Sequence, residues 1–383
     1  MLLAILAAAV GAVVVIGYLL TVIDFLGRVR TFWRRHVLKR REPEAATKDD
    51  VARVEQAVDD LRSRLSKYLD GLPQATPEVR DPFQQGQRLQ QAEQHEAAIA
   101  EFQKAFEVAE NDSQRCALHI LIGNSFLLLS RPAEAEGHYR QALAAAGRAK
   151  DPRGQAAALG GLGNVCSHRG QPGDLDKAEQ HHKKALAIHQ QIGDKLDQAQ
   201  DLGNLGNVYF QRGQPGDPDK AEQHHKKALA IDEEVGNRLG QAQDLGNLGI
   251  VYFQRGQPGD LDKAEQHFKK ALRISTEIGN RLGQAIVLGN LGLVYAERGE
   301  LDKAEDRFKK ALAIHEEIGN RLGQAQQLGN LGVLQAQRRN APGALRYSRE
   351  ARRIFAEVGA SAELRKTDEF IQVLEAAGSP TEP

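Results

Sequence analysis

Residues Leu245–Leu272 read LGNLGIVYFQRGQPGDLDKAEQHFKKAL, and variants of this stretch recur along most of the chain. Its first half places Leu245, Leu248 and Tyr252 at positions i, i+3 and i+7, which share one face of an α-helix. Its second half places Ala264 and Phe268 on one face in the same way. Two such helices cannot bury both apolar faces alone, so the pattern predicts a stack of helical hairpins.

A glycine in the first helix of each hairpin sets the register of the repeats, with spacings of 37, 40, 43, 43, 43 and 40 residues. These glycines are Gly86, Gly123, Gly163, Gly206, Gly249, Gly292 and Gly332. The second helices carry pairs of alanines, which are Ala98/Ala105, Ala135/Ala142, Ala178/Ala185, Ala221/Ala228, Ala264/Ala271, Ala304/Ala311 and Ala344/Ala351. Because small residues let helices approach closely, we expect an all-α array of about seven hairpins over residues 83–352.

The turns carry residues typical of helix ends. Second helices are predicted to begin at an aspartate that is followed three residues later by glutamate, a capping arrangement. These aspartates are Asp176, Asp219, Asp262 and Asp302. Left-handed glycines are expected to end the second helices, and asparagines to cap the first helices that follow. They are Gly193, Gly236, Gly279 and Gly319, and Asn237, Asn280 and Asn320.

The Leu248-Gly249 pair, Tyr252 and the Ala264, Phe268 and Ala271 spacing resemble the tetratricopeptide repeat (TPR) pattern. The resemblance covers about residues 83–352, and residues 353–383 are expected to form a capping helix, roughly Ser361 to Ala376, and a tail. The usual TPR unit has about 34 residues. The longer units here, with GNRLGQA leading into LGNLG, are more similar to Pins/LGN adaptors and kinesin light chains. This resemblance implies a right-handed superhelix whose trough is lined chiefly by first helices.

The first helices carry a second stripe, opposite the buried one, that is rich in amides. Around Gly206 this stripe holds Gln200, Asn204 and Asn207. The predicted peptide-binding residues are Asn164, Gln200, Asn204, Asn207, Gln243, Asn247, Ile250, Asn290, Leu293 and Asn330. An amide side chain can both donate to and accept from a peptide backbone. In the adaptors that the chain resembles, asparagines at this position hold an extended segment. The alternative is that these amides bond to neighbouring helices or stay hydrated.

The stripe is neutral and partly apolar, which limits the kind of ligand. Ile250, Leu293 and Val333 lie on it, and glycines directly precede the four repeated asparagines, where they can admit a close backbone. These glycines are Gly203, Gly246, Gly289 and Gly329. Glycine at this place argues against the basic clamp with which cochaperone-type TPRs hold an acidic C-terminus. We therefore expect an extended or helical segment with apolar anchors.

Residues 1–27 are predicted to form a transmembrane anchor. Leu2 to Ile23 is an uncharged run of 22 residues, long enough to cross a bilayer as a helix. Seven Lys or Arg residues then fall between Arg28 and Arg41, and residues 28–46 form a basic juxtamembrane segment. The positive-inside rule places that flank, and hence the array, in the cytoplasm. A cleaved signal peptide would need basic residues before a shorter apolar core, and the sequence has neither.

Residues 47–71 are predicted to form an amphipathic helix, and the Pro-containing residues 72–82 a linker. The helix places Val51, Val54, Val58, Leu61, Leu65 and Tyr68 on a heptad seam. Two interpretations are open. The helix forms a short coiled coil with a second copy, or it rests on the first repeat or on the lipid surface.

No catalytic, phosphate-binding, dinucleotide or zinc motif is present in the sequence. The His181-His182 and His224-His225 pairs do not suit joint metal ligation, because adjacent helical residues point about 100° apart. His182 and His225 also take the place that Phe268 holds, which predicts packing. Cys116 and Cys166 are expected to be buried thiols rather than a disulfide.

Charge and repetition exclude two classes of function. Lys and Arg number 51 against 51 Asp and Glu, and residues 1–41 hold a net +6, which leaves about −6 for the rest and argues against nucleic acid. The units that begin at Gly193 and Gly236 share 33 of 43 residues, whereas an active site needs one asymmetric constellation. We predict a non-enzyme without a cofactor or metal.

The predicted function is a membrane-anchored adaptor that recruits a protein or peptide segment to the cytoplasmic membrane face. The alternative is a structural scaffold that assembles with itself at the membrane as a homo-oligomer. A third reading is a regulatory module that holds an enzyme subunit inactive, and no sequence feature names that enzyme.

Overall fold

A computed structural model describes residues 77–91 and 94–378, which form fifteen α-helices and no β-strand. The helices are α1 Pro77–Gln91, α2 His95–Glu107, α3 Asp112–Leu128, α4 Pro132–Ala149, α5 Pro152–Arg169, α6 Asp174–Ile192, α7 Lys195–Arg212, α8 Asp217–Glu234, α9 Arg238–Arg255, α10 Asp260–Glu277, α11 Arg281–Glu297, α12 Leu301–Glu317, α13 Arg321–Gln337, α14 Ala341–Glu357 and α15 Ser361–Gly378. The array therefore extends five residues beyond the predicted end at 352, and the expected capping helix is present.

Several predictions concern residues outside the described part. The transmembrane anchor over 1–27, the basic segment over 28–46, the amphipathic helix over 47–71 and residues 72–76 of the linker all lie there. Residues 77–82, the rest of the predicted linker, are helical and belong to α1. Within the described ranges, no helix combines the length and hydropathy that crossing a bilayer requires.

The helices pair into seven antiparallel hairpins, which fall into two compact units with a boundary between Asn237 and Arg238. Hairpins one to four, α1 to α8, belong to the first unit. Hairpins five to seven, α9 to α14, and the terminal helix α15 belong to the second. Within each unit consecutive hairpins pack side by side, as the two apolar faces of the repeat predict.

Each hairpin is closed by a glycine of the first helix against a side chain of the second helix, sixteen residues later in the hairpins with a short turn and nineteen later in those with the long turn. A Cβ atom on Gly249 would lie 2.5 Å from Cε1 of Phe268, and one on Gly206 would lie 2.6 Å from Nε2 of His225. All fourteen repeat alanines of the second helices are fully buried. The predicted close packing within hairpins is confirmed, since no side chain larger than hydrogen fits at these glycines.

Histidine takes the ring position in the third and fourth hairpins, as the sequence predicts. His182 and His225 are each 1% exposed, and the ring of His182 packs over Gly163. Burial, assisted by the neighbouring His181, lowers the pKa of His182 to about 4. This ring is therefore a neutral packing group at physiological pH.

The predicted caps are partly wrong. The second helices of the 43-residue units begin two residues before the predicted aspartates, at Asp174, Asp217 and Asp260, behind left-handed glycines such as Gly173 with φ 80°. Asp174 folds back over the turn and accepts the backbone N–H of Gln171 at 3.2 Å, so the extra turn residues carry their own carboxylate. In α12 the residue before the helix is Glu300, and Asp302 lies inside the first turn.

Two of the three predicted asparagine caps, and the glycines that end the second helices, are observed. Asn280 accepts the backbone N–H of Gly283 at 2.9 Å, and Asn320 accepts that of Gly323 at the same distance. The glycines after the second helices are left-handed, with φ between 70° and 73°: Gly193, Gly236, Gly279 and Gly319. Cys116 and Cys166 are buried free thiols, and burial raises the pKa of Cys116 to about 12.

Arginine side chains join consecutive hairpins within each unit. In the first unit, Nη1 of Arg169 donates to Glu136 at 2.6 Å, and Nη1 of Arg212 donates to Glu179 at 2.6 Å. In the second unit, Arg298 donates to Glu265 in the same way. The acceptor lies 33 residues earlier in each case, in the second helix of the preceding hairpin. This separation is the same across 40-residue and 43-residue steps of the repeat, so the contact does not depend on the length of the turn within the hairpin.

Candidate functional site

The first-helix face is the face of the first helices that lies opposite their buried stripe. In α7 of the first unit, Leu202, Leu205 and Tyr209 are buried, while Gln200 and Asn207 are exposed. Asn204 in α7 and Asn164 in α5 are half-buried. The four predicted binding residues of this unit therefore lie on the side of their helices that the hairpin core leaves uncovered.

The second unit carries the other six predicted residues on its own first helices. Gln243 and Leu293 are exposed, and the remaining four are half-buried: Asn247, Ile250, Asn290 and Asn330. The structure therefore places the predicted residues in two groups, one in each unit. Their contact with a peptide stays a prediction.

The amides of this face are largely unused by the protein. Asn204, Asn247 and Asn290 make no side-chain hydrogen bond to any residue that the structure describes. Asn330 donates to Gln327 of its own helix at 3.4 Å. Bonding to neighbouring helices, one of the two alternatives for these amides, is therefore not observed at the first three positions. Their donors and acceptors are open to water or a ligand.

The glycines beside the asparagines differ from one another. Gly246 and Gly329 have nothing within 4 Å of the place where a Cβ would lie, so a backbone can approach them. At Gly289 the prediction of an open approach is wrong, because Nε2 of Gln327 lies 3.0 Å from that place. Gln327 comes from α13, the next first helix along the chain, so the gap at Gly289 accommodates a contact between repeats.

Exposed apolar side chains cluster on the first-helix face of the second unit. Ile286 is 48% exposed, Leu293 36% and Val333 46%. Leu282 and Leu322 are 45% and 42% exposed near the starts of α11 and α13. Neither was predicted from the sequence to be a binding residue. These five residues are called the apolar patch below. On α11, Leu282, Ile286 and Leu293 fall within about 40° of one another around the helix axis. The sequence did contain a signal for Leu282 and Leu322, because each is the leucine of a repeated GNRLGQ motif.

The edge of the apolar patch is polar but neutral. At the first positions of α11 and α13, Arg281 donates to Glu317 and Arg321 donates to Glu357, with Nη2 of Arg321 2.6 Å from the carboxylate oxygen. These arginines are therefore committed to pairs within their own hairpins. A surface of this kind suits apolar side chains of a ligand rather than an acidic C-terminus.

Comparisons with known proteins agree with this architecture. The family model described as tetratricopeptide repeat matches residues 173–217, 257–317 and 284–357. A comparison with curated proteins found no match.

Solved structures share the fold at low sequence identity. One is a signal transduction ATPase with numerous domains that carries a tetratricopeptide repeat sensor, from Pyrococcus horikoshii (TM-score 0.59, 16% identity, 84% of this chain and 46% of that chain). Another is aspartyl phosphate phosphatase F from Bacillus subtilis (TM-score 0.56, 14% identity, 88% and 92%). A third is a Rap protein complexed with Competence and Sporulation Factor (TM-score 0.54, 15% identity, 85% and 94%). The chain spans about half of the first of these proteins. The matched segments of the helical array are therefore similar to tetratricopeptide repeats, and the solved structures share the fold of the array.

Proposed function

We propose that this chain is a membrane-anchored adaptor that binds a segment of a partner protein on its first-helix face. The observation that carries the proposal is that Asn204, Asn247 and Asn290 have no hydrogen-bond partner among the described residues and yet recur at one repeat position. Within the second unit, Asn247 and Asn290 lie at equivalent positions of consecutive hairpins, and free amides in such positions can hold a polypeptide backbone. Such contacts position a segment without reading its side chains.

The apolar patch supplies the complementary part of recognition. Exposed apolar residues that share one face are typical of an interaction surface, whereas single scattered ones are common on any protein surface. Leu282, Ile286 and Leu293 can receive apolar side chains of the bound segment at one end, while the amides hold its backbone. The fold supports this use by analogy, since the Rap protein of similar fold was solved with Competence and Sporulation Factor bound. The closer likeness to Pins/LGN adaptors and kinesin light chains stays a prediction.

The membrane part of the proposal rests on sequence. Leu2 to Ile23 has the length and composition of a spanning helix, and the basic residues that follow orient the array toward the cytoplasm. Anchoring then works by mass action, because a partner bound to the array is confined near the bilayer at a raised effective concentration. Alkaline carbonate extraction of membranes tests this part. The full chain should stay in the pellet, and a chain without residues 2–23 should not.

The binding part is tested by replacing Asn204, Asn247, Asn290 and Asn330 together with alanine in the full chain. Capture of partner proteins from a lysate should fall strongly, while helicity and melting temperature change little, because three of these side chains have no hydrogen-bond partner among the described residues and Asn330 makes one bond of 3.4 Å within its own helix. The matched control replaces Lys184 and Lys227, which are exposed on second helices, with alanine and should leave capture unchanged. Equal capture by the quadruple variant and the parent would rule out the amides as a binding surface.

A further inference from the structure

A cavity of about 650 Å³ opens at the turn edge of the second unit, beside the C-terminal end of α11. One wall consists of Phe253 at the end of α9, Pro258 in the turn and Leu261 at the start of α10. The end of α11 forms the other wall, with Glu297 and Arg298, and Asp262 of α10 lies between the two. The site therefore combines an apolar wall with three ionisable groups.

The cavity exists because two neighbouring repeats differ. The fifth hairpin has the long turn with the residues QPG, whereas the sixth hairpin has the short turn, so its turn does not extend over that of the fifth. In addition, Ala296 takes the position at which the fourth and fifth hairpins have Phe210 and Phe253. A shorter turn and a smaller side chain both leave space beside Phe253. The two hairpins are therefore not equivalent here, and a ligand could bind at this position without binding at the corresponding positions of other hairpins.

The charged groups that line the cavity differ in whether they already have an ion-pair partner. Arg298 donates to Glu265 and to Asp262, so its guanidinium is already used in the contact between hairpins. Glu297, in contrast, is exposed and has no ion-pair partner within residues 94–378. Glutamine stands at the same repeat position in the fourth, fifth and seventh hairpins, as Gln211, Gln254 and Gln337. Among these four hairpins, only the sixth therefore has a carboxylate at this position, beside the apolar wall.

We propose that this cavity binds a basic side chain, arginine or lysine, of a partner polypeptide. The methylene stem of such a side chain packs over Phe253, Pro258 and Leu261, and its cationic group is held by Glu297 with Asp262 nearby. An anionic ligand fits less well, because the one cation that lines the cavity is already paired and two carboxylates line it as well. This site uses none of the amides or the apolar patch, so it does not depend on the binding surface proposed above.

The experiment selects a displayed library of random peptides on the full chain and compares variants. Glu297→Gln restores the residue of three other hairpins, and Ala296→Phe restores the residue of two, so both should fold, as thermal unfolding will show. Glu316→Gln, at an exposed carboxylate elsewhere in the same unit, is the control. Selected peptides should share an arginine or lysine, and their affinity should fall about tenfold or more with either cavity variant, since one charged hydrogen bond is lost or the space is filled.

Three results would overturn the proposal. Selection of no peptide, selection of peptides without a shared basic residue, or equal affinity for the parent and Glu297→Gln each exclude a basic-side-chain site. The quadruple asparagine variant separates the two surfaces. Peptides that bind in the cavity should bind that variant as tightly as the parent, and peptides lost with it would lie on the first-helix face and contradict the cavity assignment.

Discussion

Nη1 of Arg212 in α7 donates to Oε2 of Glu179 in α6 at 2.6 Å, which joins the fourth hairpin to the third. The same guanidinium holds Asp217 at the start of α8 with two bonds of 2.8 and 3.0 Å. The side chain of Asp217 is 1% exposed and that of Arg212 is 12% exposed. One arginine therefore fixes the turn of its own hairpin and the contact with the preceding one.

We expect Arg212→Ala to destabilise the first unit by about 1.5–3 kcal/mol, because the buried Asp217 carboxylate would lose its two guanidinium bonds and keep only Lys220 and the backbone N–H of Gln214, each at 3.2 Å. Hydrogen exchange of the α7 and α8 amides in the full chain measures the change locally. Arg140→Ala is the control, since Arg140 is 71% exposed and pairs with Glu136 one helical turn away, a contact worth at most about 0.5 kcal/mol. Similar effects of the two substitutions would show that the pair at Arg212 is not structural.

Two glycines of α9 should respond to alanine with opposite signs. A Cβ at Gly249 would lie 2.5 Å from the Phe268 ring, so Gly249→Ala should destabilise the second unit by about 1–3 kcal/mol through overpacking. Gly246 has no atom within 4 Å of that place, so Gly246→Ala should stabilise it by up to about 1 kcal/mol through helix propensity. Urea unfolding of both variants checks the signs, and a shared sign would contradict the packing described for α9 and α10.

The sequence predicted the hairpins well, because the information is local and repeated. Leu245, Leu248 and Tyr252 set a helical period, and the glycine of each first helix, with the alanines and the ring residue of the second, sets the pairing of two helices. The left-handed glycines after second helices follow from the same local rules. Repetition strengthens such signals, since each hairpin tests the same assignment.

The details that differ from the prediction depend on contacts between elements. Propensity favours aspartate at a helix start, and it cannot show that Asp174 rather than Asp176 bonds back to Gln171. Gly289 looked open because its neighbour in space, Gln327, lies 38 residues away. The cavity beside Phe253 was missed for a related reason. It arises from a difference between the fifth and sixth hairpins. An analysis that looks for what the repeats share does not reveal such a difference.

Stability should depend on pH through His182. Its pKa in the folded chain is about 4, mainly through burial, against an ordinary value of 6.5. Between these values the unfolded chain binds a proton that the folded chain excludes, so the free energy of unfolding falls as pH drops from about 6.5 to 4. His182→Phe should remove this part of the acid sensitivity and also stabilise the chain at pH 7, because it replaces a buried Nδ1 atom that lacks a hydrogen-bond partner.

The measurement is the melting temperature at pH 7 and at pH 5 for the parent and the variant. His168→Gln is the control, at an exposed histidine near the end of α5. Its difference between the two pH values should equal that of the parent. If His182→Phe also kept the parental difference, the buried ring would not be the group that titrates.

The apolar patch can be converted to the chemistry of the first unit without adding a foreign residue. Glutamine is found in three other hairpins at the position of Ile286, and asparagine is found at the position of Leu293 in Asn164 and Asn207. The double variant Ile286→Gln/Leu293→Asn should change the free energy of unfolding by no more than about 0.5 kcal/mol, because both side chains are substantially exposed. Capture of partner proteins should nevertheless fall, since the apolar anchors of the bound segment lose their contacts. If the double variant kept both its stability and its capture of partner proteins, the apolar patch would not contribute to binding. The segment would then be held by the amides alone.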